Sequence, residues 1–115
     1  MNRVTVIEQV GGLHIMTLAG EVDAFNAPDL REEVHELLAQ DSVKQLLIDL
    51  SAVTFMDSAA LGAIVAALRR LRERGGELRL VAPRGNAARI FELTGLDAVL
   101  DFSPDREAAI NATIA

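Results

Sequence analysis

The chain has no cysteine, no tryptophan and no tyrosine, and four phenylalanines among its 115 residues. Without cysteine there is no disulfide, no thiolate metal site and no cysteine nucleophile. With so few rings, the core must be assembled from Leu, Val, Ile and Ala. Long hydrophobic runs are missing too. The nearest candidate, Ala59 to Leu68, stops at Arg69-Arg70, well short of the ~20 residues a membrane span needs. The opening MNRVTVIEQV shows no basic region followed by an apolar stretch and cleavage-type small residues. Basic residues are outnumbered, eleven against seventeen acidic, for a net charge of −6. That balance argues against nucleic-acid binding, which depends on neutralising phosphates. The expectation is a single cytoplasmic domain over residues 1–115, with no membrane insertion and no nucleic-acid partner.

What is present is an ordered alternation of strand and helix signals. Val4, Val6, Glu8 and Val10 alternate with Thr5, Ile7 and Gln9, the pattern of a half-buried strand. Gly11-Gly12 accepts the positive φ angles of a tight hairpin, so the second strand, with Leu13, Ile15 and Thr17 on one side, is predicted to pair antiparallel with the first. Gly20-Glu21-Val22-Asp23 leaves that strand for a loop. A first helix starts near Asn26 to Pro28, with Asn26 as its cap, and fades at Gln40-Asp41-Ser42; Leu30, Val34, Leu37 and Leu38 form its apolar face. Leu46 to Leu50 is almost continuously apolar, as in a strand covered on both faces. After a short irregular passage pinned by Phe55 and Met56, a second helix starts at Asp57-Ser58. It buries Leu61, Ile64, Val65, Leu68 and Leu71 and ends at Gly75-Gly76.

Leu78 to Ala82 is a fourth strand. Asn86 is placed to cap a third helix, with Ile90, Phe91 and Leu93 facing inward and Gly95 closing it. Val99 to Phe102 makes a short fifth strand, and Ser103-Pro104-Asp105 starts a last helix that reaches about Thr113. The order β-β-α-β-α-β-α-β-α implies an α/β fold: a mixed, mostly parallel sheet of about five strands, opened by an antiparallel hairpin, with four helices packed on it.

Enzyme chemistry finds little to work with. A Ser-His-Asp hydrolase needs a base within reach of the serine, yet His14 falls mid-strand and His35 mid-helix, and both are expected at the surface. Ser58 lies between Asp57 and Ala59, not in a glycine-flanked elbow. No His or carboxylate spacing suggests a metal site, and no glycine pattern suggests a phosphate-cradling loop. Asp49 and Asp57 invite comparison with a receiver domain, but the first strand ends Val10-Gly11-Gly12, without the acidic pair a Mg²⁺ site would need. Arg69, Arg70, Arg72 and Arg74 crowd the end of the second helix, where cations favour the dipole.

Ser58 itself remains. Asp57 or Ser58 alone suffices to cap the helix, so one of the two is left for another task. A hydroxyl beside a carboxylate on an anchored loop is a good place for a charge switch. Phosphorylation there adds about −1.5 to −2 charges at pH 7, and a penalty of ~2–3 kcal/mol on docking weakens binding roughly a hundredfold.

Leu47-Ile48-Asp49-Leu50-Ser51, followed by Phe55-Met56-Asp57-Ser58 and Leu61-Gly62, resembles the hallmark of bacterial anti-sigma factor antagonists, the STAS domains. Gly20-Glu21-Val22-Asp23, Gly75-Gly76-Glu77-Leu78 and Phe91-Glu92-Leu93-Thr94-Gly95-Leu96 are similar to further stretches of that family, in the right order over essentially the whole chain. The resemblance implies a partner switch. The unmodified protein binds an anti-sigma factor that is also a serine kinase, releasing a sigma factor for transcription. That kinase, using ATP and Mg²⁺, then phosphorylates the antagonist and the pair separates; a serine phosphatase restores it. Carried over by position, Ser58 is the phosphoacceptor, and Asp23, Met56, Asp57, Ser58, Leu61 and Gly62 belong to the partner-binding surface. The chain itself is expected to be no enzyme and to hold no cofactor or metal. Where the family commonly reads Asp-Ser-Ser-Gly-Leu-Gly or Asp-Ser-Thr-Gly-Leu-Gly, this chain has Asp57-Ser58-Ala59-Ala60-Leu61-Gly62. That departure keeps in view the family's other uses, as a scaffold in stress-sensing assemblies or an accessory subunit of a lipid-transport complex.

Overall fold

A computed structural model of the chain describes residues 5–114. In chain order the elements are β1 (Thr5–Val10), β2 (Leu13–Val22), α1 (Ala27–Leu38), β3 (Gln45–Met56), α2 (Ser58–Glu73), β4 (Glu77–Val81), α3 (Asn86–Leu93), a 3₁₀ turn at Leu96–Ala98, β5 (Asp101–Ser103) and α4 (Arg106–Ile114). The strands lie side by side in sequence order, β1-β2-β3-β4-β5. β1 and β2 run antiparallel, and every later pairing is parallel. The expected fold class is the one found.

The period-2 alternation of side chains sorts the sheet into two faces. On one face Met16, Leu18, Leu46, Ile48, Leu50, Leu78 and Leu80 join the apolar stripes of α1, α2 and α3 in the main core. On the other, Leu13, Ile15, Leu47 and Val81 pack under Ala109 and Ile110 of α4. One layer thus holds three helices. The other holds α4 alone among the described residues.

Several boundaries move from where the sequence places them. β3 does not stop at Leu50 but runs on to Met56, beside a β2 that runs on to Val22. Thr17 to Val22 takes five steps along β2 while its partners Asp49 to Met56 take seven along β3, so β3 bulges twice. Each bulge shifts the alternation by one residue, which makes the burial of Val53 and Met56 look irregular in the sequence. Met56 is buried in the main core, but Phe55 is 45% exposed and lies outside that core. β1 is an edge strand whose described side chains are all exposed, not half-buried; Val4 lies outside the described residues. The fourth and fifth strands shift to Glu77–Val81 and Asp101–Ser103. Leu93 faces out, at 77% exposure, because α3 buries only Ala87 and Phe91. Gly95 does take the left-handed conformation at the end of α3 (φ 76°).

The helix starts also differ in who caps them. Asn86 opens α3 without capping it, the cap position being Gly85. Asn26 sits at the cap of α1, but its side chain accepts from the Asp23 amide (2.9 Å) and donates to the Glu21 carbonyl (2.7 Å). It organises the loop rather than the helix. In α4, Asp105 supplies the cap, accepting from the Ala108 amide at 2.8 Å. Of the four arginines ending α2, Arg74 reaches the carbonyls of Leu38 (2.6 Å), Gln40 (3.0 Å) and Val43 (3.2 Å). It thereby satisfies the open C-terminal end of α1.

Candidate functional site

Parallel neighbours β2 and β3 end together, Val22 opposite Met56. Their outgoing loops therefore meet at the carboxyl edge of the sheet, where α/β folds present their binding residues. The β2–α1 loop brings Asp23, Ala24, Phe25 and Asn26. The β3–α2 junction brings Asp57 and Ser58.

Both aspartates are engaged with backbone amides. Asp57 Oδ1 accepts from the amides of Ala59 (3.0 Å) and Ala60 (3.2 Å), capping α2. Its Oδ2 accepts from the Ala24 amide at 2.8 Å, so one carboxylate ties the two loops together. The Asp57 carbonyl takes the Leu61 amide (3.2 Å). Asp23 Oδ1 accepts from Phe25 (3.0 Å) and Asn26 (3.3 Å), an Asx turn within its own loop.

Ser58 is the first residue of α2 and is exposed. Among the described residues its hydroxyl has no side-chain hydrogen-bond partner. Asp57 carries the whole capping task and leaves the serine free. Beside it, Phe25 is 84% exposed, on the same loop as the Ala24 amide that Asp57 holds. Two phenylalanines of an aromatic-poor chain, Phe25 and Phe55, thus stand in solvent on the two segments that converge here. Leaving them there costs apolar burial, as expected of a surface that meets another protein.

The other predicted contact residues are placed unevenly. Met56 and Leu61 are buried in the main core, so their side chains form the floor under the site and do not face outward. Gly62, one turn beyond Ser58, is partly open, and the Arg31 guanidinium of α1 lies across it. A Cβ at position 62 would come within 2.6 Å of Arg31 Nη2. Phe25, Ala24 and Arg31 were not singled out by sequence reasoning. Phe25 carried the one usable signal, a large apolar residue in a loop between Asp23 and Asn26.

Neither histidine approaches the serine as a hydrogen-bond partner. His35 is exposed and its Nδ1 lies 3.2 Å from Arg70 Nη1. His14 departs from the expected surface placement: it is half-buried in β2, and its Nδ1 is sealed without a partner among the described residues. Asp49 points to the opposite, α4 face. It accepts from the Ser51 amide (2.9 Å) and hydroxyl (2.7 Å) and from Arg106 Nε (3.2 Å). Burial pushes its pKa up, but the Ser51 hydrogen bonds and the Arg106 guanidinium outweigh this and hold the carboxyl below its ordinary value. Arg106 continues the network to Glu8 (2.9 Å) and Thr17. Asp49 is accordingly a structural ion-pair member joining α4 to three strands, β1, β2 and β3. No three His, Asp or Glu side chains among the described residues converge in a way that could hold a metal ion.

Comparison with known proteins agrees with this geometry. Residues 5–109 match the STAS domain. The anti-sigma-B factor antagonist of Bacillus subtilis (strain 168) is 35% identical over 95 residues, 83% of this chain and 85% of that protein. The anti-sigma-B factor antagonist of Listeria monocytogenes is 38% identical over 84 residues, 73% of each chain. Among solved structures, an anti-sigma factor antagonist from Mycobacterium paratuberculosis superposes with a TM-score of 0.83 at 35% identity, covering 94% of this chain and 91% of that one. On these grounds the chain belongs to the STAS domain family.

Proposed function

We propose that this protein is an anti-sigma factor antagonist: a binding module that docks on an anti-sigma factor and is released by phosphorylation of Ser58. The observation that carries the reading is the division of labour at the start of α2. Asp57 caps the helix and latches the neighbouring loop, while Ser58 is left exposed. The docking face comprises the β2–α1 loop, Phe25, Phe55 and the first turn of α2, supported from beneath by Met56 and Leu61.

The modifying enzyme is the partner, a serine kinase working with ATP and Mg²⁺. The Ser58 oxygen takes the γ-phosphoryl group, the bond to the β-phosphate oxygen breaks, ADP departs, and the serine proton passes to the kinase. The added dianion on a face that was neutral at that atom must be desolvated for docking to persist. A serine phosphatase reverses the change. This chain supplies no catalytic group, and its place of work is the cytoplasm.

The test is intact mass after incubation with the candidate kinase and ATP, alongside binding of Ser58→Ala and Ser58→Asp. One phosphate is expected on the wild type and none on Ser58→Ala, which still binds. Ser58→Asp binds at least tenfold more weakly. No phosphate uptake together with unchanged binding of Ser58→Asp would mean a constitutive scaffold or accessory subunit instead.

A further inference from the structure

Resting on that reading, we propose that Arg31 is the counter-charge for phosphorylated Ser58, leaving its place across Gly62 to close on the phosphate. The first turn of α2 has little left to supply that charge itself. The amides of Ala59 and Ala60 are taken by the Asp57 side chain, and that of Leu61 by the Asp57 carbonyl. Of the usual anion-binding donors of a helix N-terminus, three are therefore spent before any phosphate arrives, and the amide of Ser58 itself is left. With the Asp57 carboxylate adjacent, a dianion at position 58 needs a cation from elsewhere.

Arg31 is placed to be that cation. Its Nη2 lies 2.6 Å from where a Cβ on Gly62 would sit. Positions 58 and 62 are one helical turn apart on the same face, about 6 Å between their Cβ positions. The guanidinium thus lies against the residue one turn beyond Ser58, from where the long, flexible Arg31 side chain can swing toward the serine. It is exposed, and it makes no hydrogen bond or ion pair among the described residues, so nothing must be broken to move it. Gly62 is what brings it so close, because any side chain there would lift the guanidinium away. Asp29 and Glu32, flanking Arg31 near the start of α1, are the competing carboxylates. A dianionic phosphate presents more charge and a geometry that suits the two-pronged guanidinium. In the unmodified protein Arg31 lies at the end of a groove between α1 and α2, with His35 and Arg70 further along it. Recruiting Arg31 to Ser58 removes a cation from that groove and opens Gly62.

The experiment uses full-length chains with phosphoserine installed at position 58 during synthesis, so that it needs no kinase. The second ionisation of the phosphate is followed by ³¹P NMR in wild type, Arg31→Gln and Arg31→Lys. An ion pair with Arg31 favours the dianion and lowers that pKa. The Arg31→Gln protein should therefore titrate about half a pH unit or more above wild type, with Arg31→Lys between them, and the difference should shrink in 1 M salt. Coincident titrations of wild type and Arg31→Gln overturn the proposal. Unphosphorylated Arg31→Gln, melting with the wild type, excludes misfolding as the cause. If the anti-sigma factor still bound the phosphoserine protein, the switch reading would fail, while the titration would judge Arg31 independently.

Discussion

Asp57 Oδ2 accepts the Ala24 amide at 2.8 Å across 33 residues of chain, while its Oδ1 caps α2. One carboxylate therefore fixes the start of a helix and the loop that carries Phe25. Asp57→Ala removes the cap and the latch together. The expected cost is about 1–3 kcal/mol of stability, read from the urea midpoint. Partner affinity should fall further than the stability loss explains, because the β2–α1 loop is no longer held against α2. Unchanged affinity in a folded Asp57→Ala protein would place the docking face elsewhere.

Phe25 separates binding from folding. At 84% exposure it contributes little to the core, so Phe25→Ala should unfold within about 0.5 kcal/mol of the wild type. If Phe25 anchors the interface, the same change should weaken partner binding by about tenfold to a hundredfold. Calorimetric titration against the anti-sigma factor gives the second number, and wild-type affinity would remove Phe25 from the face.

Gly62→Ala tests how loosely Arg31 is held. The added methyl meets the far end of a flexible side chain, at 2.6 Å from Nη2, and no backbone. Alanine in a helix interior is favoured over glycine by about 1 kcal/mol. The variant should therefore be as stable as wild type or more so, with Arg31 displaced. By contrast, a Cβ at Gly76 would come within 2.3 Å of the Lys44 carbonyl oxygen, and Gly76→Ala should be clearly destabilised. A destabilised Gly62→Ala would show that Arg31 is held firmly where it lies.

Asp49 sets an acid limb. Its folded pKa lies below its ordinary value of 3.8. Its contribution is therefore fully present above that value and is lost as pH falls through the lower, folded one. Asp49→Asn should cost about 1–2 kcal/mol at neutral pH, and the gap to wild type should close below about pH 4. A constant gap from neutral pH down to pH 2 would mean that Asp49 is not held ionised by Ser51 and Arg106.

Much of the site could be read without coordinates because its parts are adjacent in the chain. Asp57-Ser58 falls where an apolar strand gives way to a helical stripe, and Asp23 where β2 gives way to α1. Their side-by-side placement follows once β2 and β3 are taken as parallel neighbours. The extension of β3 to Met56 stayed hidden because two bulges break the alternation on which strand reading depends. The apolar stripe of α2 already put Leu61 on a buried face, whereas the family resemblance marked Leu61 and Met56 as contacts; the structure places both side chains beneath the surface they support.

From the order of its residues alone this protein has its α/β alternation, its hairpin, the apolar faces of its helices and a hydroxyl at the mouth of α2, since each rests on periodicity and turn chemistry within a few residues. What folding in three dimensions decided is which of Asp57 and Ser58 does the capping, which cation lies against Gly62, and that Asp49 belongs to an ion pair with Arg106. Those outcomes depend on hydrogen bonds and contacts between residues 31 and 62, 24 and 57, and 49 and 106, and no local pattern encodes a separation of that length.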